Sequence, residues 1–520
     1  MGPNIKRTLG LFIGLWIGSV AQAADFALKA KPVEYVRICS LYGAGFYYIP
    51  GTDTCIRLGG YLRAESAFNG TNYNGAYSGQ LGAQNRLSNY FSTRGRQELT
   101  IDTRTATEYG RVRTYLEATF TWTTDTYSGN PNAGGTTVYS AIGGGGGVNP
   151  ASAPNNASAG AVAGGSLGVF FAFIQFAGFT MGKTISAFDA PWTNYPGNNF
   201  DGLVGGSGTV TGVNQLTYTA QFGNGVSGTL SAQDPVAYMQ AGLVNLTGAT
   251  AAGMLGGANG SNNIAGTRAP ELIAALEVDQ AWGLFKASVA VHNNTVGYYG
   301  ATESTGHPND NWGFAVQGAL SIKDIPTGVG DVINMQGVYT DGATRYNLQS
   351  LAAANYSMFG GANLPGSYQS IGFANAPDAV YTGTSAANGT GLENVKTWGF
   401  RGGYTHNWDP YWNTGVYGAY AAIRYGNYGK AVICANAVAL LALIGTCNPD
   451  FNIAQAGIIT RWTPVANMTF SGDLIWSRLD QKYSGTVVAP TLAAVAKPAA
   501  VYELKDQDSF SFLLRAQRNF

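Results

Sequence analysis

Apolar and polar residues alternate along the chain in stretches of about ten, the pattern of a strand with one face toward lipid and the other toward water. Residues 110–123 show it well: Val112, Leu116, Ala118, Phe120 and Trp122 share one face, and Arg111, Arg113, Tyr115, Glu117, Thr119 and Thr121 the other. The final segment repeats it, with Phe510, Phe512, Leu514, Ala516 and Phe520 opposed to Ser511, Arg515, Gln517 and Asn519; Leu513 and Arg518 break the alternation. The pattern predicts strands at 55–68, 93–106, 110–123, 167–178, 180–189, 214–222, 226–233, 270–280, 283–293, 311–322, 329–340, 395–406, 411–424, 452–463, 467–479 and 507–520, sixteen in all.

Short turns such as 107–109, 223–225, 407–410 and 464–466 are interleaved with much longer loops. That asymmetry is expected of an outer-membrane barrel, with short turns in the periplasm and long loops outside. An even strand count places both chain ends on the periplasmic side. Lipid cannot satisfy the polar edge of an open sheet, so the strands must close. Sixteen strands enclose an aqueous channel, whereas about eight are filled by their own side chains. The predicted fold class is therefore all-β: a transmembrane antiparallel β-barrel of about 16 strands.

Composition narrows the picture further. Only 11% of the 520 residues are charged, against 73 Gly, 30 Tyr and 24 Phe. Residues 1–23 read as a secretory signal: Lys6 and Arg7, an apolar run from Leu9 to Val20, and Ala21-Gln22-Ala23 at the cleavage point. Beyond it no stretch of about 18 apolar residues exists to form a membrane helix. Without Lys6 and Arg7, 27 basic residues face 29 acidic ones, a net charge of about −2, which marks no nucleic-acid partner. The exported chain has close cysteine pairs, Cys39 with Cys55 and Cys434 with Cys447, expected as two local disulfides. No cofactor is implied, and three scattered histidines with no C-x-x-C spacing suggest no metal site.

Residues 34–63, EYVRICSLYGAGFYYIPGTDTCIRLGGYLR, closely resemble the amino-terminal signature of the porins of alphaproteobacteria, the rhizobial and Brucella type. The likeness continues through RGRQELTIDTRT, EYGRVRTYLEATF and FIQFAGFTMGK into the last strand, and Cys39 and Cys55 match the family's paired cysteines. The resemblance implies a homotrimeric, sixteen-stranded general-diffusion porin, passing small hydrophilic solutes and ions across the outer membrane, with outer-membrane lipid and lipopolysaccharide around it. It also implies that the third long loop, 189–213, folds into the lumen as a constriction. The loop 128–165 departs from the family in its wealth of Gly, Ala and Asn.

On the polar parity, Arg57 and Arg63, Arg94 and Arg96, and Arg111 and Arg113 fall on three consecutive strands, and Arg401 and Arg515 share the same parity on theirs. Arg63, Arg94, Arg96, Arg113, Arg401 and Arg515 are the candidate basic wall, with Glu117 among the facing acids and Asp189 and Asp201 on the loop opposite. Such an arrangement imposes a transverse field that orients polar solutes. Arg57, Arg104 and Arg111, close to the periplasmic rim, read instead as wall pairs. Residues 24–54 read as a short periplasmic or lumen-associated cap held by its disulfide, and residues 55–520 as the barrel.

The one G-x-S-x-G match, Gly164 to Gly168, leads from a loop into a strand, the reverse of a nucleophile elbow. His292 and His406 sit at strand ends, expected at the interface, and His307 lies in a loop; nothing assembles an enzyme. The rival to general diffusion is a channel specific for sugars or amino acids, for which Phe171, Phe173 and Trp192 supply stacking surface. Loops such as 341–394 and 425–451 also suit surface contacts.

Overall fold

The structure, a computed structural model, describes residues 37–70, 82–88, 90–123, 166–192, 197–236, 238–349 and 352–520. The predicted signal, residues 24–36 and the loop 128–165 lie outside the described residues.

Sixteen strands form one closed antiparallel sheet: β1 (Cys55–Phe68), β2 (Phe91–Thr107), β3 (Gly110–Thr123), β4 (Ser166–Phe176), β5 (Phe179–Thr184), β6 (Val213–Gly223), β7 (Val226–Gln233), β8 (Glu271–Gln280), β9 (Gly283–Asn294), β10 (Asn311–Lys323), β11 (Val332–Asp341), β12 (Lys396–Asn407), β13 (Trp412–Arg424), β14 (Phe451–Val465), β15 (Met468–Gln481) and β16 (Gln507–Asn519). Each pairs with the next, and β16 returns to β1 from Tyr61↔Asn519 to Phe68↔Phe512, so the wall has no free edge. Phe510, Phe512 and Leu514 face outward, while Ser509, Ser511 and Leu513 are buried inward.

The short turns use local chemistry. Asn224 and Gly225 both have positive φ, 52° and 75°, as an Asn-Gly hairpin requires. A Cβ on Gly225 would stand 1.8 Å from the Asp279 carbonyl oxygen. The predicted fifth strand, 180–189, ends earlier, at Thr184. There the chain turns inward: Ser186 Oγ accepts from Phe188 N (3.1 Å) and donates to Gln233 on β7 (2.8 Å).

The long loops build a lid. One small sheet joins Asn355–Gly360, Gln369–Asn375, Ala500–Leu504, Ser484–Ala489 and Ile444–Thr446; another joins Ser261–Asn262, Leu243–Asn245, Ala379–Tyr381 and Glu393–Asn394. A helix, Asn427–Leu441, lies among them. Beneath, lid residues Tyr356, Phe373, Ile433 and Tyr502 share one apolar core with the inward-facing Ile453, Ile475 and Leu479 of β14 and β15. The inner wall thus changes character, from polar near the short turns to apolar where the lid packs.

Both expected disulfides are formed. Cys39–Cys55 ties the amino-terminal segment to the first residue of β1, and Cys434–Cys447 links the lid helix to the segment after it.

Candidate functional site: the lumen and its inward loop

The described residues of the loop 185–212 reach from the end of β5 to the far wall. Its near end is held by β9 and β10, where Lys286 Nζ donates to the Asp189 carbonyl (2.8 Å) and Gln317 Nε2 to the Phe188 carbonyl (2.9 Å). Farther along, Arg401 on β12 donates through Nη1 to the Leu203 carbonyl (3.2 Å) and through Nη2 to the Ser207 carbonyl. Val204 N donates to Gln455 on β14 (3.0 Å). At Asn199 the loop reaches β15 and β16: its backbone N–H donates to Asp473 (2.7 Å), its Nδ2 to Ser471 (2.7 Å), and Arg515 donates to its side-chain and main-chain oxygens (2.8 and 3.2 Å).

The predicted arginines of the first two strands and the last, with Arg113, fall into three settings. Glu65 is buried between Arg94 and Arg515, with Arg515 Nε 2.6 Å from Oε1, and Arg63 Nε donates to Gln517 (2.8 Å) nearby. Arg96 donates to Thr121 (3.0 Å) and lies over the Phe170 ring. Nearer the short turns, Asp102 takes two bonds each from Arg104 and Arg113, and Arg57 stands 3.8 Å away. The amino-terminal segment meets this group: Phe46 lies under the guanidinium groups of Arg57 and Arg104, 5.1 and 4.5 Å from the ring centre. Arg111, the outermost of the predicted series, is exposed.

Arg401 is almost wholly buried beneath the loop. Asp189 is buried too, turned back into its own loop with Thr209 N and Oγ1 each 2.7 Å from Oδ2. Burial pushes its carboxyl up, against the Ser207 and Thr209 bonds and the Arg401 charge that favour ionisation. Asp201 is buried near Arg94. Glu117 accepts from Tyr115 (3.2 Å), whose ring stacks on Phe173 at 5.3 Å with Arg113 beside both.

Three comparisons bear on this geometry. The profile of the porin subfamily matches residues 25–513. The chain belongs to the porin subfamily. Porin Omp2b of Brucella neotomae is 28% identical over 370 residues, covering 69% of this chain and 80% of the relative; Porin Omp2b of Brucella suis biovar 1 is 28% identical over 369 residues, covering 69% and 78%. Among solved structures, the outer membrane channel DcaP of Acinetobacter baumannii superposes with a TM-score of 0.52 at 16% identity, over 91% of this chain and 99% of that one, a likeness of fold. The protein is an outer-membrane β-barrel that forms a channel for passive diffusion.

Sequence reading missed several residues that fasten the loop of this porin. Asp473 has the inward parity on β15, and its charge is a signal the pattern contained; Tyr417 OH holds its other oxygen (2.8 Å). Asn199, Asn347 and Gln349 lie in loops and carry no periodic signal. Gln349 donates to the Leu203 carbonyl (2.7 Å), and the Asn347 carbonyl accepts from Gly205 (2.9 Å) and Gly206 (3.1 Å). The expected interfacial place of His292 is corrected: it is buried between Glu271, 2.5 Å from Nδ1, and Asp378, 3.5 Å from Nε2, because a loop returns over the end of β9. His406 lies at the short-turn end against Asp331 (2.7 Å), and His307 bonds the Pro308 carbonyl (2.8 Å).

Proposed function

We propose that this porin is a homotrimeric general-diffusion channel whose narrowest section lies between the inward loop and the arginine wall. The observation that carries this reading is the attachment of Asn199 to Arg515 and Asp473, on the wall opposite the loop's origin. In this reading Arg63, Arg94, Arg96, Arg113 and Arg515, with Glu117 and Asp201, set the field met by a solute. Arg401 and Asp189 act indirectly, by fixing the loop. A field across a narrow, water-filled section favours dipolar solutes over apolar ones.

The test is single-channel conductance in planar bilayers, with reversal potential under a salt gradient. Ohmic steps closing in threes, without saturation by maltodextrins or amino acids, are expected. Steps in ones, or saturable block by a single solute class, would overturn the trimer or the general-diffusion part respectively. The Tyr115–Phe173 stack with Arg113 alongside favours a second reading, a sugar-preferring channel, because stacked rings bind the apolar faces of sugars.

A further inference from the structure

A cavity of about 480 Å³ lies in the lid between the loops 234–270 and 342–395. Its wall carries Arg345 and the amides of Gln240, Asn262, Asn355 and Asn375, set among alanines and glycines. Arg345 Nη1 bonds three carbonyls of its own loop, those of Leu348 and Gln349 at 3.4 Å and Ala352 at 3.2 Å. Among the described residues its Nε and Nη2 have no hydrogen-bond partner. The acid that acts on Arg345 is Asp378, whose oxygens are taken up elsewhere: by the backbone N–H groups of Ala241 (2.7 Å) and Thr344 (2.6 Å), with His292 alongside. Asp378 is not on the cavity wall. The segment carrying Arg345 continues directly into Asn347 and Gln349, which bind the inward loop at Leu203–Gly206.

A guanidinium with donors to spare, ringed by neutral amides, has the chemistry for one carboxylate and several hydroxyls. The arginine fork matches a carboxylate, while each amide both donates and accepts. The volume suits a solute of one or two sugar rings. We infer that this cavity is a vestibular binding site for hydroxylated carboxylates of sugar-acid type, poised above the inward loop. The inference rests on the channel reading above and names a solute class for it.

The experiment uses the full-length protein in planar bilayers, with galacturonate as probe and galactose as its neutral counterpart. Wild-type conductance in potassium chloride is recorded first, so that a failure of the channel reading shows itself separately. Galacturonate is expected to reduce the current saturably and galactose not to. Loss of a hydrogen-bonded charge should weaken block at least ~10-fold in Arg345→Gln. Gln240→Glu, which leaves the Arg345 bonds untouched, should weaken it similarly by placing a negative charge on the wall, with salt conductance unchanged. Equal effects of the two sugars on the wild type, or unaltered galacturonate block in both variants, would overturn the site.

Discussion

Arg515 and Asn199 are 316 residues apart in sequence and joined by two hydrogen bonds, 2.8 and 3.2 Å, across the inside of the barrel. The same guanidinium holds Glu65 through Nε at 2.6 Å, so one side chain fastens the inward loop to the strand pair that closes the wall. Replacing Arg515 with Gln should cost roughly 2 kcal/mol in lost charged hydrogen bonds and take from Glu65 one of the guanidinium groups that hold it. The expected result is larger, noisier single-channel current and a reversal potential shifted toward cations. An unchanged current would mean that the remaining contacts at Asp473 and Arg401 suffice to hold the loop.

Why the barrel was legible and the lid was not follows from the same residues. A strand between lipid and water must alternate, so Phe510, Ser511 and Phe512 announce their faces without any partner being known. Arg63, Arg94 and Arg515 were placed inward by parity alone, and the structure brings them together around Glu65. Parity cannot say what an inward residue will meet. Ile453, Ile475 and Leu479 sit on inward positions with the wrong polarity for water, and their reason is the lid core, contributed by loops from elsewhere in the chain. Asp189 failed as a strand end for a similar reason: Ser186 and Gln233 turn the chain inward before the pattern ends.

The Tyr115–Phe173 stack separates the two transport readings. If sugars slide along these rings, Phe173→Ala should weaken maltodextrin block by about three- to tenfold, the value of an aromatic contact of roughly 0.5–1.5 kcal/mol. Block titrations on wild type and variant measure this directly. If neither protein is blocked, the stack is a wall contact and general diffusion stands.

At the short-turn end, Asp331 secures the turn before β11 to the end of β12. It accepts from Asn407 N (2.8 Å), Thr327 Oγ1 (2.7 Å) and Tyr404 OH (2.9 Å), with His406 Nδ1 at 2.7 Å. Burial opposes ionisation, but these bonds together hold the carboxyl well below the usual carboxylate range. A folded value below the unfolded one gives stabilisation that is complete above about pH 4 and is lost as pH falls through the lower folded value. Heat-induced unfolding, followed by electrophoretic mobility between pH 7 and pH 2, should therefore show an acid-labile component below about pH 4. Asp331→Asn should lower the transition temperature at neutral pH and remove that component. A variant with the wild-type acid profile would show that other carboxylates govern it.

The two disulfides predict different failures. Cys39–Cys55 includes the first residue of a barrel strand, whereas Cys434 and Cys447 both lie between the end of β13 at Arg424 and the start of β14 at Phe451. The second bridge spans a sequence separation of 13 residues, and closing a loop of that size is worth ~3 kcal/mol by chain entropy. Replacing both Cys434 and Cys447 with Ser should leave the barrel's heat-modifiable mobility intact, because no inter-strand hydrogen bond of the wall depends on them. Local opening of 425–450 should rise by up to ~100-fold, read as faster proteolytic cutting within that loop. Contacts with the rest of the lid also resist that opening. Ile433 and Leu441 pack into the lid core, and Glu393 accepts from the first turn of the helix at Tyr428 N (3.2 Å) and Gly429 N (2.6 Å). Unchanged cutting in the double variant would assign the stability of the loop to these contacts, and adding Glu393→Ala to the double variant should then expose it.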